Sequence, residues 1–237
     1  MRINKFLASC GVASRRNSEQ FVLEGRVKVN GKVISSLSTE INIDNDTVLL
    51  DGKAVSLPKK HIYLMMNKPK GFICTLSDDR DRKTVIDLLP DNFKNKRVFP
   101  IGRLDYDSEG LLLLTTDGDL ANRLMRPASE VLKTYVVRVE GQVPEADLAK
   151  LRKGVMLDGV LTRKAKVKLL EFDGEISRFE VGITEGKNRQ IRRMFETINK
   201  EVVFLRRVAI GDLKLGGLYR GETRELKQHE VDYLMKF

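Results

Sequence analysis

The 237-residue sequence predicts an α+β protein: a small N-terminal unit of two helices and a hairpin, then a larger domain on a mixed, largely antiparallel sheet. Strand-patterned segments outnumber helical ones and follow no regular β-α-β alternation. Neither Gly-x-Gly-x-x-Gly nor a P-loop motif is present, which argues against a nucleotide-binding α/β fold. The length exceeds the usual size of one domain, so a small and a large unit are the natural division. Ser56-Leu57-Pro58-Lys59-Lys60-His61 sets a proline and two lysines between apolar runs and is the best linker, dividing the chain into 1–60 and 61–237.

Ile3, Phe6 and Leu7 recur at helical spacing and predict a first short helix. A second starts at Ser14, whose hydroxyl suits an N-cap, and stops at Gly25, a helix-closing residue. Beyond it, Arg26-Val27-Lys28-Val29 alternates polar and apolar, Asn30-Gly31 is a strong two-residue turn, and Lys32-Val33-Ile34 returns as a second strand. Residues 1–32 hold seven Lys or Arg against two Glu, whereas residues 33–60 hold three against four acidic groups, so positive charge gathers at the start. Arg15, Arg16, Arg26 and Lys28 are the candidates for phosphate contacts, because the guanidinium offers a planar fork of donors. A solvated basic face is the plain alternative.

In the larger unit, Ile62-Tyr63-Leu64-Met65-Met66 reads as a strand, followed by the turn Asn67-Lys68-Pro69-Lys70-Gly71. Further strands are predicted at 111–115, 134–140, 165–172, 178–183 and 202–210, and helices at 119–125, 145–153, 189–198 and 230–236. In the 189–198 helix, Ile191, Met194, Phe195 and Ile198 form the buried stripe, which leaves Arg189, Arg192 and Arg193 off it. No internal repeat or low-complexity tract is evident.

The most informative stretch runs Val98-Phe99-Pro100-Ile101-Gly102-Arg103-Leu104-Asp105-Tyr106-Asp107-Ser108-Glu109-Gly110, then Leu111 to Thr115. Leu111–Thr115 is a short apolar run closed by the Asp117-Gly118 turn, as in a buried strand. Asp105 therefore sits just ahead of a rigid element, in a polar loop bracketed by Gly102 and Gly110. Loops held by a rigid scaffold are where catalytic groups concentrate.

A formal charge of +10 and a pI near 9.6 favour a polyanionic partner, without choosing among RNA, DNA and acidic membranes. No run approaches the roughly 18 apolar residues of a membrane helix, and Met1-Arg2-Ile3-Asn4-Lys5 leads into no signal-peptide core, so a cytosolic location and no membrane contact are expected. Cys10 and Cys74 are far apart and fit neither a disulfide framework nor a thiolate zinc site. With only His61 and His229, a histidine-rich metal site or His-based triad is disfavoured.

The Gly102-Arg103-Leu104-Asp105 segment and its continuation resemble the central motif of the pseudouridine synthases, in particular the branch that modifies ribosomal RNA. Leu7-Ala8-Ser9-Cys10-Gly11-Val12-Ala13-Ser14-Arg15-Arg16 and Gly25-Arg26-Val27-Lys28-Val29-Asn30-Gly31 resemble the S4 domain, a small RNA-binding module carried by that branch. Asn67-Lys68-Pro69-Lys70-Gly71 is similar to the family's first motif, making Lys68 a candidate RNA contact, and Thr184 to Met194 is similar to its third. The segments 115–125, 211–212 and 217–221 look most like the large-subunit branch, with the small-subunit branch as the alternative. After Lys187 the chain reads Asn188-Arg189-Gln190, where some members carry a histidine.

This resemblance implies a fold of pseudouridine synthase type, ribosomal RNA or a subunit precursor as partner, and action as a monomer without cofactor or metal. It implies that Asp105 is the essential aspartate, that Tyr135 lies against the target base, and that Arg192 pairs with Asp105 and keeps it charged in a site closed to water. Asp105 acts on the sugar either as a nucleophile at C1′ or as a base at C2′. Arg103 contacts the strand or fills the gap left by a flipped nucleotide, and Arg189 and Arg193 join Lys68 in binding substrate. On the residues alone, a tyrosine in a strand such as Tyr135 is more often an ordinary core residue. The rivals are a noncatalytic ribosome-assembly protein and a metal-dependent nuclease using Asp105, Asp107 and Glu109.

Overall fold

The computed structural model describes residues 1–237. The first unit comprises α1 (Ile3–Ser9), α2 (Arg15–Leu23), β1 (Val27–Val29), β2 (Lys32–Val33), β3 (Val48–Leu50) and β4 (Lys53–Val55). Ser14 caps α2 by accepting from the Asn17 N–H at 3.1 Å, and Gly25 closes it at φ +69°. Asn30 and Gly31, both at positive φ, turn β1 into β2. The predicted hairpin is only half of the sheet. β3 and β4 extend it to four antiparallel strands in the order β2-β1-β3-β4. They meet at Asp51-Gly52, again both at positive φ, a turn signal as strong as Asn30-Gly31. Ile3, Phe6, Leu7, Val22, Val27, Ile41 and Val48 form this unit's own core.

The remaining strands are β5 (Tyr63–Lys68), β6 (Phe99–Ile101), β7 (Glu109–Thr115), β8 (Lys133–Glu140), β9 (Met156–Leu157), β10 (Val160–Leu161), β11 (Lys166–Phe172), β12 (Ile176–Ile183), β13 (Val202–Ile210), β14 (Leu213–Lys214) and β15 (Thr223–Glu225). The helices are α3 (Asp91–Lys94), α4 (Gly118–Met125), α5 (Glu145–Lys153), α6 (Gln190–Glu196) and α7 (Gln228–Leu234). The main sheet runs β11-β12-β8-β13-β7-β5-β15, with β14 on β13 and β6 on β7. Every pairing is antiparallel except β13 with β7. All seven residues of β7 are buried, because one core packs Leu112 and Leu114 and a second packs Leu111 and Leu113 on its opposite face. In β8, buried Tyr135, Val137 and Val139 alternate with more exposed residues, the period of two that makes a strand legible.

The β7 edge changes partner along its length. Arg206 and Arg207 of β13 pair with Glu109 and Gly110, whereas β6 pairs with Leu113 to Thr115. Between them the Leu111 carbonyl is satisfied by a side chain instead of a strand: Arg207 Nε donates to it at 2.7 Å. Gly110 permits the close pairing at φ +109°, since a Cβ there would lie 2.2 Å from the Arg207 carbonyl oxygen.

Candidate active site

A cleft of about 620 Å³ opens along this change of partner, with Asp105, Tyr135, Lys133, Leu205, Arg207 and Arg189 among its lining residues. Asp105 reaches it from the loop between β6 and β7. Its main-chain oxygen accepts from the Ser108 N–H at 3.1 Å and from Lys68 Nζ at 2.9 Å, while its half-buried carboxylate is free of ion pairs. Tyr135, 7 % exposed, lines the same cleft from β8. Arg103 and Arg126 sit exposed at its rim.

Lys68 does not face RNA. It is fully buried, and its ammonium donates to the carbonyls of Pro69 at 3.1 Å, Asp105 at 2.9 Å and Ser108 at 2.8 Å. Burial lowers its pKa, against the upward pull of Cys74, Asp105, Asp107 and Glu109. The expected RNA contact is therefore an internal clamp: the cation ties the middle and the last residue of the loop carrying Asp105 to the end of β5.

Arg192 also departs from expectation. It is buried on α6, but its charge partner is Asp107, with Nε 3.2 Å from Oδ2; Nη2 donates to the Asp107 carbonyl at 3.2 Å and Nη1 to that of Val202. Nε lies off the hydrogen-bonding line, so this is a charge contact. Arg189, left-handed at φ +47° just ahead of α6, donates to the same Asp107 oxygen at 3.0 Å. The predicted Arg192–Asp105 pair is thus replaced by two arginines on Asp107, two residues further along the loop. Burial opposes ionisation of Asp107, but the Arg189 bond and the charges of Arg192 and Arg189 outweigh it and hold the carboxyl below its usual range. Burial likewise lowers Arg192, against the pull of Asp107.

Two other expected contacts lie elsewhere. Arg193 turns away from the cleft and pairs with Asp158, and Arg26 makes a two-point pair with Asp51, adds Glu24 and stacks over Phe21 at 4.2 Å. Arg26 is engaged within its own unit, whereas Arg15, Arg16 and Lys28 stand exposed there. The three carboxylates of the nuclease reading do not converge: Asp107 is held by Arg189 and Arg192, and buried Glu109 pairs with Arg220 at 3.0 Å.

Sequence reasoning overlooked Lys133 and Arg207, both on the cleft wall. Their signal was available in the strand period, since Lys133 precedes Tyr135 by two and shares its face. Burial and the Arg207 charge lower the Lys133 pKa. Lys187 lines the cleft too, and its buried Nζ has no hydrogen-bond partner.

The sequence profile of the RNA pseudouridylate synthases matches residues 62–197, spanning the Asp105 loop, Tyr135 and α6. The chain belongs to this family. The S4 domain profile matches residues 1–48 of this pseudouridine synthase. It is 46 % identical over 237 residues to the ribosomal large subunit pseudouridine synthase B of Bacillus subtilis (strain 168), covering 98 % of this chain and 95 % of that protein. It is 42 % identical to the protein of the same name from Haemophilus influenzae, covering 98 % of this chain and 66 % of that longer one. A solved pseudouridylate synthase superposes with a TM-score of 0.72 at 32 % identity, covering 99 % of both chains.

Proposed function

We propose that this pseudouridine synthase isomerises a uridine of large-subunit ribosomal RNA, presented free or in a subunit precursor, and that the chain acts as a monomer. The observation that carries the reading is the free Asp105 carboxylate, in a cleft that also holds Tyr135 and a set of cations. The two relatives named for the large subunit support the choice of RNA.

The reaction breaks C1′–N1, turns the base and joins C1′ to C5, with nothing gained or lost overall. An ordinary glycoside hydrolase uses two carboxylates, one to activate water and one to protonate the leaving group. Here one suffices, because water is excluded and the detached base is retained. Asp105 acts on the sugar, at C1′ or C2′, with its loop braced by Lys68 below and by Arg189 and Arg192 through Asp107. Tyr135 stacks on the base and Arg103, exposed at the rim, meets the strand from which the nucleotide has turned out. Residues 1–60 form the RNA-gripping unit, with Arg15, Arg16 and Lys28 turned to phosphates.

The test is tritium release from uridine C5 of labelled ribosomal RNA or subunit precursors. Wild type releases tritium with EDTA present, and Asp105→Asn stays folded, binds RNA and releases none. A folded Asp105→Asn protein of full activity defeats the assignment, and a loss of wild-type activity with EDTA returns the reading to metal-dependent chemistry.

A further inference from the structure

Three cations on the cleft wall, Lys133, Arg207 and Lys187, have no acidic partner, and the first two stand beside Tyr135. Lys133 Nζ donates only to the Val131 carbonyl, at 3.2 Å, and Arg207 Nε only to the Leu111 carbonyl. Arg207 is 3 % exposed, and its buried Nη2 has no hydrogen-bond partner. An arginine nitrogen buried without an acceptor is costly and calls for a ligand or another explanation. By contrast, Arg189 and Arg192 are taken up by Asp107, and Lys68 by three carbonyls.

Both residues flank Tyr135. Lys133 lies two residues before it on the same face of β8, and Arg207 stands directly opposite it in the β13–β8 register while also pairing with Gly110, at the end of the Asp105 loop. A base laid against Tyr135 meets both. A phosphodiester belongs to the strand outside, where Arg103 and Arg126 are exposed.

We infer that Lys133 and Arg207 form an anion site for the departing uracil, binding its carbonyl oxygens while the base carries the electron pair of the broken C1′–N1 bond. This rests on the proposed function and adds two residues to its catalytic set. Both routes for Asp105 generate the same anion. If the carboxylate attacks, an O–C1′ bond forms as C1′–N1 breaks. If it takes the C2′ proton, the C2′–H pair becomes the C1′–C2′ double bond as C1′–N1 breaks. In each case uracil leaves as a monoanion, its charge spread over N1, C5 and the carbonyl oxygens. Bonding of C5 to C1′ then consumes that charge, and Asp105 either departs from C1′ or returns its proton to C2′. Finally C5 loses its hydrogen as a proton and N1 gains one. Fixed donors aimed at charge that exists only in mid-reaction lower the barrier without tightening substrate binding.

The test compares wild type with Lys133→Gln, Arg207→Lys and Arg207→Gln under single turnover, on an RNA that wild type converts, with uridine or 5-fluorouridine at the target. Conversion is read by chromatography of the digested RNA as loss of the target nucleoside, since a C5 fluorine cannot leave as a proton, and binding by filter retention. Fluorine withdraws electrons and makes the base a better leaving group on its own. Lys133→Gln is expected to slow conversion of uridine by about 10²-fold, the usual effect of removing one such donor, with RNA affinity unchanged. The deficit shrinks on the fluorinated RNA, and Arg207→Lys retains more activity than Arg207→Gln. An equal deficit on both RNAs, or no deficit, overturns the inference. So does a loss of affinity with a shallower salt dependence and an unchanged rate at saturation, which marks a phosphate contact. Should Arg207→Gln fail to fold, Lys133→Gln carries the comparison, because its side chain holds one carbonyl only. Failure of wild type on every RNA instead defeats the proposed function.

Discussion

Lys68 reads in the sequence as a surface lysine of a turn, because Pro69 and Gly71 follow it and the apolar run stops at Met66. Yet β5 continues to Lys68 and buries it, since the loop carrying Asp105 folds over the strand end and presents two carbonyls to its ammonium. Such a contact joins residues 37 and 40 positions apart and leaves no periodic trace. Lys68→Met is expected to lower unfolding free energy by roughly 3 kcal/mol or more, because buried carbonyls lose their donor; the urea midpoint measures it. Asp107 was legible as a carboxylate but not as the partner of Arg189 and Arg192, because α6 meets the loop only through tertiary packing. Asp105 and Tyr135 are singled out by motif resemblance, which carries spatial information that spacing alone lacks, and both line one cleft. In the N-terminal unit, Arg26→Ala should reduce stability, with its Asp51 pair and Phe21 stacking lost, more than it reduces RNA affinity. Thermal unfolding and RNA titration of one variant separate the two effects.

Among the elements, those long enough to show a period were legible. The predicted strands and helices of the larger unit all appear with small boundary shifts, as with 134–140 for β8 and 230–236 for α7. Two-residue strands such as β9 and β14 are too short to repeat a period of two, and only their partners define them. The β7–β13 junction depends on the missing side chain of Gly110. Gly110→Ala is expected to destabilise by more than about 3 kcal/mol or to prevent folding, because the new methyl meets backbone that cannot swing aside; thermal denaturation or soluble yield reports it. At α7, Glu230 accepts from the Lys227 N–H at 2.8 Å and holds Arg224 with both oxygens, which lowers its pKa to about 2. A depressed carboxyl stabilises the fold above its unfolded pKa of about 4.5, and that contribution is lost as pH falls through about 2. Wild type should therefore lose more stability than Glu230→Gln between those values, as followed by helical circular dichroism in acid titration.

At the scale of the whole molecule, length and the Ser56–His61 composition predict a small and a large unit. How the units meet is not written there, because the Lys5–Asp119 pair that joins α1 to α4 at 2.7 Å has no signature in either segment. Charge was informative about the class of partner and silent about its position: of the four basic residues marked in the first unit, Arg26 is consumed internally. Replacing Arg15 and Arg16 together by alanine is expected to weaken RNA binding and to reduce the slope of log affinity against log salt by about 2, leaving the rate at saturating RNA unchanged. Filter binding across a salt series measures the slope.

The parallel pairing of β7 with β13 also sets when this protein becomes able to work. Arg207 and the Leu111 carbonyl it satisfies are 96 residues apart, and β15 must return from Thr223 to pair with Met66. Contacts of such sequence separation form late, whereas the four short strands of the first unit all lie within residues 27–55 and emerge ahead of the larger unit during synthesis. A nascent chain thus completes the sheet and core of its first unit before the cleft exists.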